Sequence, residues 1–197
     1  MSKTVYLIGS LRNPEIPNIG NALREKLGYD VFDDWFAGGK IADDEWQAYE
    51  TSRGHSYADA LRGIAADHVF SFDKYHLDRA DVGVLVLPAG KSGHLELGYL
   101  AGQGKRTYIL FDKVPERWDV MYKFATNVAF SLKELMEMLY EDLRERHVHG
   151  TGETARAGSP SDQAGALRTG IVVSGGGQAR DHDLARMEPL ARLNGRS

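Results

Sequence analysis

A chain of 197 residues that is 42% hydrophobic and carries 19 aromatic side chains (three Trp, nine Tyr, seven Phe) has enough apolar surface for one globular domain with its own core. The formal charge of -4 and a pI near 6.0 leave no concentrated basic face, which argues against a general binder of nucleic-acid polymers and favours small-molecule partners. With no cysteine, disulfides, thiolate catalysis and sulfur-ligated zinc are excluded.

Met1-Ser-Lys-Thr leads into one short apolar run, too short for a signal-peptide core or a membrane span, so a cytoplasmic protein without membrane contact is expected. Thr4-Val-Tyr-Leu-Ile8 is the first expected strand. The helix after it carries Ala22, Leu23 and Leu27 on one face and is stopped by Gly28. Tyr29-Asp-Val-Phe32 is the second strand. A polar and aromatic insertion from Asp33 to about Asp67 follows, and Trp46, Tyr49 and Arg53 at helical spacing predict within it a helix that leans over the site. Val82 to Leu87 is the third strand, Leu95 to Gln103 its following helix, and Thr107 to Phe111 the fourth strand. Val128-Ala-Phe130 is a short fifth strand, and Ser131 to Arg146 a terminal amphipathic helix. Every aromatic residue lies at or before Tyr140, and the remainder is rich in Gly, Ser, Ala, Arg and Asp, with Gly175-Gly176-Gly177 near its middle. A folded domain of residues 1–147 is therefore expected to precede a flexible tail of 148–197, in which Gly170-Ile-Val-Val-Ser174 could add a strand.

Strands alternating with helices predict an α/β fold: three layers, doubly wound in the flavodoxin or Rossmann manner, around a parallel sheet of about five strands. Its ligand belongs at the carboxyl ends of the strands, where the strand order reverses. Four segments converge there: Gly9-Ser10-Leu-Arg12-Asn13, Asp33-Asp34-Trp35, the turn into Glu96, and Asp112. Gly9 and Ser10 let backbone approach a ligand, and Arg12 offers a bidentate fork to a phosphate or carboxylate. The alternative is an ordinary turn with a solvated arginine.

Leu87-Pro-Ala-Gly-Lys-Ser-Gly-His-Leu-Glu-Leu-Gly-Tyr99 holds a single carboxylate, Glu96, in a small-residue turn that opens a helix. Such a turn presents backbone N–H groups and a positive helix end to the ligand space, and Glu96 there is a candidate nucleophile. The other reading is a first-turn glutamate that the macrodipole favours. Cleavage of a glycosidic bond requires a second carboxyl group. Asp73, among the aromatics of Phe70-Ser-Phe-Asp-Lys-Tyr75, suits that role better than Asp81, which reads as a turn cap before the third strand. His55, His68, His76 and His94 lack metal-ligand spacing, and Asp33, Asp34, Asp43 and Asp44 read as solvated or capping acids. No metal and no cofactor are expected.

The chain resembles the nucleoside 2-deoxyribosyltransferase superfamily, including the 2'-deoxynucleoside 5'-phosphate N-hydrolases, over about residues 4 to 135. The resemblance rests on Val5-Tyr-Leu-Ile-Gly-Ser-Leu-Arg12, on Asp73 with Asp81 eight residues on, on His94-Leu-Glu-Leu-Gly-Tyr-Leu-Ala-Gly-Gln-Gly-Lys105, and on Asn127. It implies that Glu96 attacks C1' of a nucleoside or nucleotide, with Tyr6 orienting it by a hydrogen bond and Asp73 near the base or the sugar hydroxyls. It also implies a homodimer or higher homo-oligomer in which Asn127 reaches the neighbour's sugar. The transferases commonly carry an acid six positions before the nucleophile, where this chain has Gly90. Gly9-Ser-Leu-Arg12 is similar to the phosphate-contacting turn of the monophosphate hydrolases, with Ser92 and the N–H of Gly93 as further donors. Hydrolysis of a nucleoside 5'-monophosphate is therefore favoured over base exchange. Asp34, Trp35 and the rest of the insertion are candidates for the base pocket, where an aromatic face could stack a base. Pro88-Ala-Gly-Lys-Ser-Gly-His-Leu-Glu96 is also faintly similar to the turn of the cytokinin-activating phosphoribohydrolases, a pattern that Ala89 and Ser92 break. A non-catalytic nucleotide sensor on the same fold is the reading from a different class.

Overall fold

Five β-rich segments pair in parallel: β1 (Thr4–Ile8), β2 (Asp30–Phe32), β3 (Val82–Val86), β4 (Arg106–Leu110) and β5 (Asn127–Ala129). The strand order is β2-β1-β3-β4-β5. The computed structural model describes residues 2–150, with side chains through 145. The order reverses between β1 and β3, which makes that crevice the topological switch point of a doubly wound sheet, as expected from the alternation of elements.

All five residues of β1 and of β3 are buried, because helices cover both faces of the sheet. Alternation along β1 divides the core. Val5 and Leu7 join Val84 and Tyr108 under α1 (Ile16–Leu27) and α6 (Leu132–Gly150), which contribute Ile16, Leu23, Leu135 and Leu139. Tyr6 and Ile8 point the other way and join Phe32, Leu85 and Ile109 under α4 (Ile64–Arg79) and α5 (Lys91–Gly102), with Leu77, Leu97 and Leu100. Tyr6 therefore faces the α4 and α5 layer. Gly28, at φ 71°, ends α1 in the left-handed region that its lack of a side chain permits.

The first strand, the Gly28 stop and the parallel sheet match the sequence expectations; β3, β4 and β5 shift by one residue at one or both ends, and three other boundaries move. Tyr29 precedes β2, its side chain sinks into the core, and its hydroxyl donates to Leu139 O (3.2 Å). α6 runs on to Gly150, and the tail expected beyond it, including Gly170–Ser174, lies outside the described residues. α5 begins at Lys91 rather than Leu95, with Gly90 as N-cap, so Glu96 sits in the second turn and not the first. Its carboxylate therefore does not serve the helix end. Within the insertion, α2 (Ala42–Ser52) carries Trp46 and Tyr49 as the spacing predicted, and a short α3 (Tyr57–Ala60) follows, closed by the Ser56–Asp59 capping box. α4 had no counterpart in the sequence reading. Its exposed Val69, Phe70 and Tyr75 obscure the single apolar stripe that would have marked a helix. Among the described residues no helix is long and apolar enough to cross a membrane.

α5 seats closely on the sheet at two glycines. A Cβ on Gly93 would stand 3.1 Å from both Ile8 Cγ2 and Leu85 Cδ1, and one on Gly83 would stand 2.4 Å from Leu100 Cδ1. A Gly93→Val substitution is expected to lift the start of α5 and lower stability by about 1–3 kcal/mol, read as a lower midpoint in chemical denaturation.

Candidate active site

Three of the residues singled out in the sequence come together on the α4 and α5 face of the sheet. Tyr6 rises from the middle of β1 with 1% exposure. Glu96 comes from the second turn of α5 and Asp73 from the middle of α4. The Asp73 charge acts on Glu96, and both carboxylates act on the tyrosine hydroxyl. Burial first, and the Asp73 charge second, push the Glu96 carboxyl up to about 7. Burial alone raises Asp73, whose Oδ1 is enclosed without a hydrogen-bond partner among the described residues. Tyr6 is raised by burial and by the Glu96 and Asp73 charges, so it stays a neutral hydroxyl. The expected hydrogen bond from Tyr6 to Glu96 is not formed among the described residues, although the Glu96 charge is near enough to raise the tyrosine.

An aromatic shelf flanks Asp73. Phe32 packs on Tyr6 (ring centroids 5.0 Å apart) and stacks face to face on His76 at 3.7 Å, and Phe72 meets His76 edge-on at 4.8 Å. Burial and the neighbouring Arg79 lower the His76 pKa, which favours the uncharged ring in this stack. Nothing in the spacing of Phe32 and His76 announced the pair, which joins the second strand to a helix the sequence reading did not find.

The segment expected to cradle an anion lies at the strand ends. Ser10 Oγ accepts the Arg12 backbone N–H (3.2 Å), and the Arg12 guanidinium is held by Asp44 of α2 at 2.8 Å. The Asp44 partner, 32 residues away, was invisible in the sequence, where Asp43 and Asp44 read as capping or solvated acids. A cavity of about 580 Å³ opens here, over the α1 and α6 side of the switch point, lined by Ser10, Arg12, Asn13, Pro88, Phe111 and Asp112 among others. A neighbouring groove of about 530 Å³ contains His94, whose Nδ1 donates to Gly90 O (2.9 Å) and whose Nε2 lies 3.1 Å from the Tyr122 hydroxyl. Glu96, Tyr6 and Asp73 line neither cavity. The carboxyl pair and the anion turn thus occupy two sides of one edge.

The remaining candidates divide. Gly9 is closely hemmed, since a Cβ there would stand 2.4 Å from Ile16 Cδ1 and 3.5 Å from the Trp35 ring. Trp35 donates its indole N–H to Leu7 O (2.8 Å) and packs against both cores, so it props the β1 turn from below. Asp34 is exposed at the start of a 3₁₀ turn, and Asp33 is clamped by Arg24. Ser92 is exposed in the first turn of α5, and Gly93 is buried against the sheet. Asn127 is exposed on the edge strand, and its amide oxygen accepts from Val128 N–H (2.9 Å). Three strand spacings, about 14 Å, separate its strand from that of Tyr6, so one chain does not unite them. Asp81 accepts from Thr4 N–H (2.8 Å) and closes the entry to β1, as its place before β3 suggested. Among the described residues no group of three or more His, Asp or Glu is arranged to hold a metal ion.

The molecule is thus a doubly wound α/β domain with two uncompensated carboxyls beside a buried tyrosine at its switch point. No protein-family model and no curated protein matches the chain. In structure it is similar to a 2-deoxyribosyltransferase from the psychrotolerant bacterium Bacillus psychrosaccharolyticus, at 16% identity over 67% of this chain and 89% of that one, with a TM-score of 0.46. It is also similar to the CMP N-glycosidase BcmB of Clostridium botulinum, at 15% identity over 70% of this chain and 98% of that one, with a TM-score of 0.41. The first bears the name of the superfamily that the motifs resemble. Neither likeness carries chemistry from one chain to the other, so the site stands on its own side chains.

A carboxyl whose pKa is raised by folding binds its proton more tightly in the native state. Its contribution is complete below the unfolded value of 4.5 and is lost as the pH rises through about 7. Glu96→Gln keeps the neutral shape and removes the ionisation. The variant is expected to match the parent in stability near pH 4.5 and to exceed it by about 2 kcal/mol at pH 8, a value discounted for water at the half-open site. Denaturation midpoints at the two pH values check this.

Proposed function

We propose that the protein cleaves the bond between base and sugar of a nucleoside 5'-monophosphate, with Glu96 as nucleophile. The observation that carries this reading is the Glu96 carboxyl, half-buried beside Tyr6 and Asp73 and raised to about 7, with no cation among the charges that shift it. An acid kept in that state without a structural partner suits a reacting group better than a structural one.

In the reaction, the ionised Glu96 forms a bond to C1' as the bond from C1' to the base nitrogen breaks, through an oxocarbenium-like transition state. The base departs and takes a proton from solvent, which the attacking water of the next step returns. Water then attacks C1', releases the sugar phosphate and restores the carboxylate. Asp73, only partly buried as a residue, accepts a hydrogen bond from a sugar hydroxyl or a base amine and so holds the ring over Glu96. Tyr6 donates its neutral hydroxyl to the carboxylate before the attack and again as hydrolysis returns its charge. The Ser10 to Asn13 turn receives the phosphate, Arg12 by charge and the Ser10 hydroxyl by donation. Asn127, exposed at the sheet edge, is available to the sugar of a neighbouring copy in a homo-oligomer.

One observation favours a second reading. Arg12 is already neutralised by Asp44, which suits an uncharged nucleoside and with it base exchange between free nucleosides. A panel of deoxy- and ribonucleosides and their monophosphates, incubated with and without a second free base, separates the two. Base release from monophosphates with little new nucleoside supports hydrolysis. Release that Glu96→Gln leaves undiminished would remove the nucleophile assignment, and binding without turnover would make the protein a sensor.

The attacking carboxylate must be ionised, so kcat/KM is expected to rise with pH through about 7 and then level off. Asp73→Asn removes the like charge and leaves the burial. Its acid limb should therefore move to lower pH without reaching that of a solvated glutamate, together with a loss of rate of about a hundredfold. A pH–rate profile of both proteins decides it.

A further inference from the structure

Arg12 is the anion-binding side chain of the reading above, and one arm of its fork, Nη2, is taken. Its guanidinium bonds Asp44 Oδ2 at 2.8 Å, with 59% and 61% of the two side chains still exposed. Asp44 shares the first turn of α2 with Asp43 and Glu45, so a run of three acids stands at the mouth of an expected phosphate cradle. For a phosphate this is an unfavourable neighbourhood unless α2 yields. α2 is built to yield. Its one buried residue, Glu50, is satisfied within its own segment by His55 Nδ1 at 2.5 Å, and the buried Trp46 Nε1 has no partner among the described residues. An ion pair this exposed contributes little, whereas a phosphate dianion brings more charge and a geometry matched to the guanidinium fork. The turn itself is ready for an anion, because Ser10 Oγ accepts from the Arg12 backbone and keeps its own hydrogen free to donate.

We propose that Asp44 is an internal stand-in for the substrate's phosphate: it occupies Arg12 in the unliganded protein, the phosphate monoester displaces it, and α2 is released as the nucleotide binds. This rests on the reading that Arg12 receives the phosphate. It makes Asp44 the residue that sets discrimination between a nucleotide and a free nucleoside, since only the ligand with a dianion can compete. It also reconciles the two readings of function, because Arg12 paired with Asp44 describes the resting state and not the ligand.

The test uses the full chain with Glu96→Gln, so that ligands are bound and not turned over. Inorganic phosphate and a nucleoside 5'-monophosphate are titrated by calorimetry into this protein and into its Asp44→Asn derivative. Asp44 is exposed, so the derivative should fold. Its affinity for both probes is expected to rise about threefold at low salt, with a smaller gain at high salt and none for the free nucleoside. Adding Arg12→Ala should abolish the gain. Hydrogen exchange gives an independent readout: amides of residues 42–52 should exchange faster when phosphate saturates the Asp44 protein, and equally fast without phosphate in Asp44→Asn. Unchanged or weaker phosphate affinity in Asp44→Asn, slower exchange of α2 on phosphate binding, or no phosphate binding by either protein would overturn the proposal. Gained phosphate affinity in Asp44→Asn alongside a Glu96 protein that releases no base from any nucleotide would support the stand-in and remove the hydrolase reading.

Discussion

The close seating of α5 on β1 and β3 governs what the site can do. Gly93 and Gly83 leave no side chain between helix and sheet, so the second turn of α5 comes down beside Tyr6 and Glu96 loses water there. Asp73 then adds a second acid to the same low-dielectric space. The charges acting on these two carboxyls include no Lys or Arg, although a buried ionic group with a structural task normally has a counter-charge. The fold carries the cost through the two apolar layers on either side.

The switch point accounts for the division of the site. Consecutive residues of β1 face opposite layers, so Tyr6 serves the α4 and α5 side, while the chain leaving Ile8 passes over the edge into the Ser10 to Asn13 turn. The cavity at that turn extends over the α1 and α6 side, away from Glu96. A ligand that engages both places must lie across the carboxyl edge, with a part that reacts at one end and a part that is held at the other. A nucleotide has that bipartite chemistry, and the reversal of strand order supplies the crevice between the two.

Much of this was legible in the residues, and what was not has identifiable causes. Buried parallel strands such as Val82–Val86 are apolar throughout, and glycine stops such as Gly28 are local, so sheet and helix order followed from the chain alone. Glu96 stood out because it is the one acid between Leu87 and Tyr99, in company otherwise uncharged after Lys91. Its helix position did not, because Lys91, Ser92 and Gly93 are polar or small and gave no apolar period to mark the first turn. α4 was hidden for the opposite reason, with aromatic residues around much of its circumference. The Arg12 and Asp44 pair and the stack of Phe32 on His76 join elements far apart in sequence, and contacts of that kind belong to tertiary packing, for which no spacing rule exists.

Two acids brought together on neighbouring helices repel, and the repulsion has to be resisted somewhere. Below the site, toward the C-terminal end of α4, Asp78 accepts from the Tyr99 hydroxyl (2.6 Å), Gln103 Nε2 (3.2 Å) and Lys74 Nζ (2.6 Å), two of which lie on or just beyond α5. Lys105 adds a second tie, donating to the carbonyls of Leu77 and Asp78 and capping the orphaned end of α4. All but the part-buried bond from Lys105 to Leu77 O are exposed and weak alone, but they form one network across the two helices. Tyr99 lies one turn beyond Glu96, and Asp78 lies just over one turn beyond Asp73. The network therefore sets the separation of the carboxyls from one end and leaves the other end of α4, with its exposed Val69 and Phe70, free of the sheet.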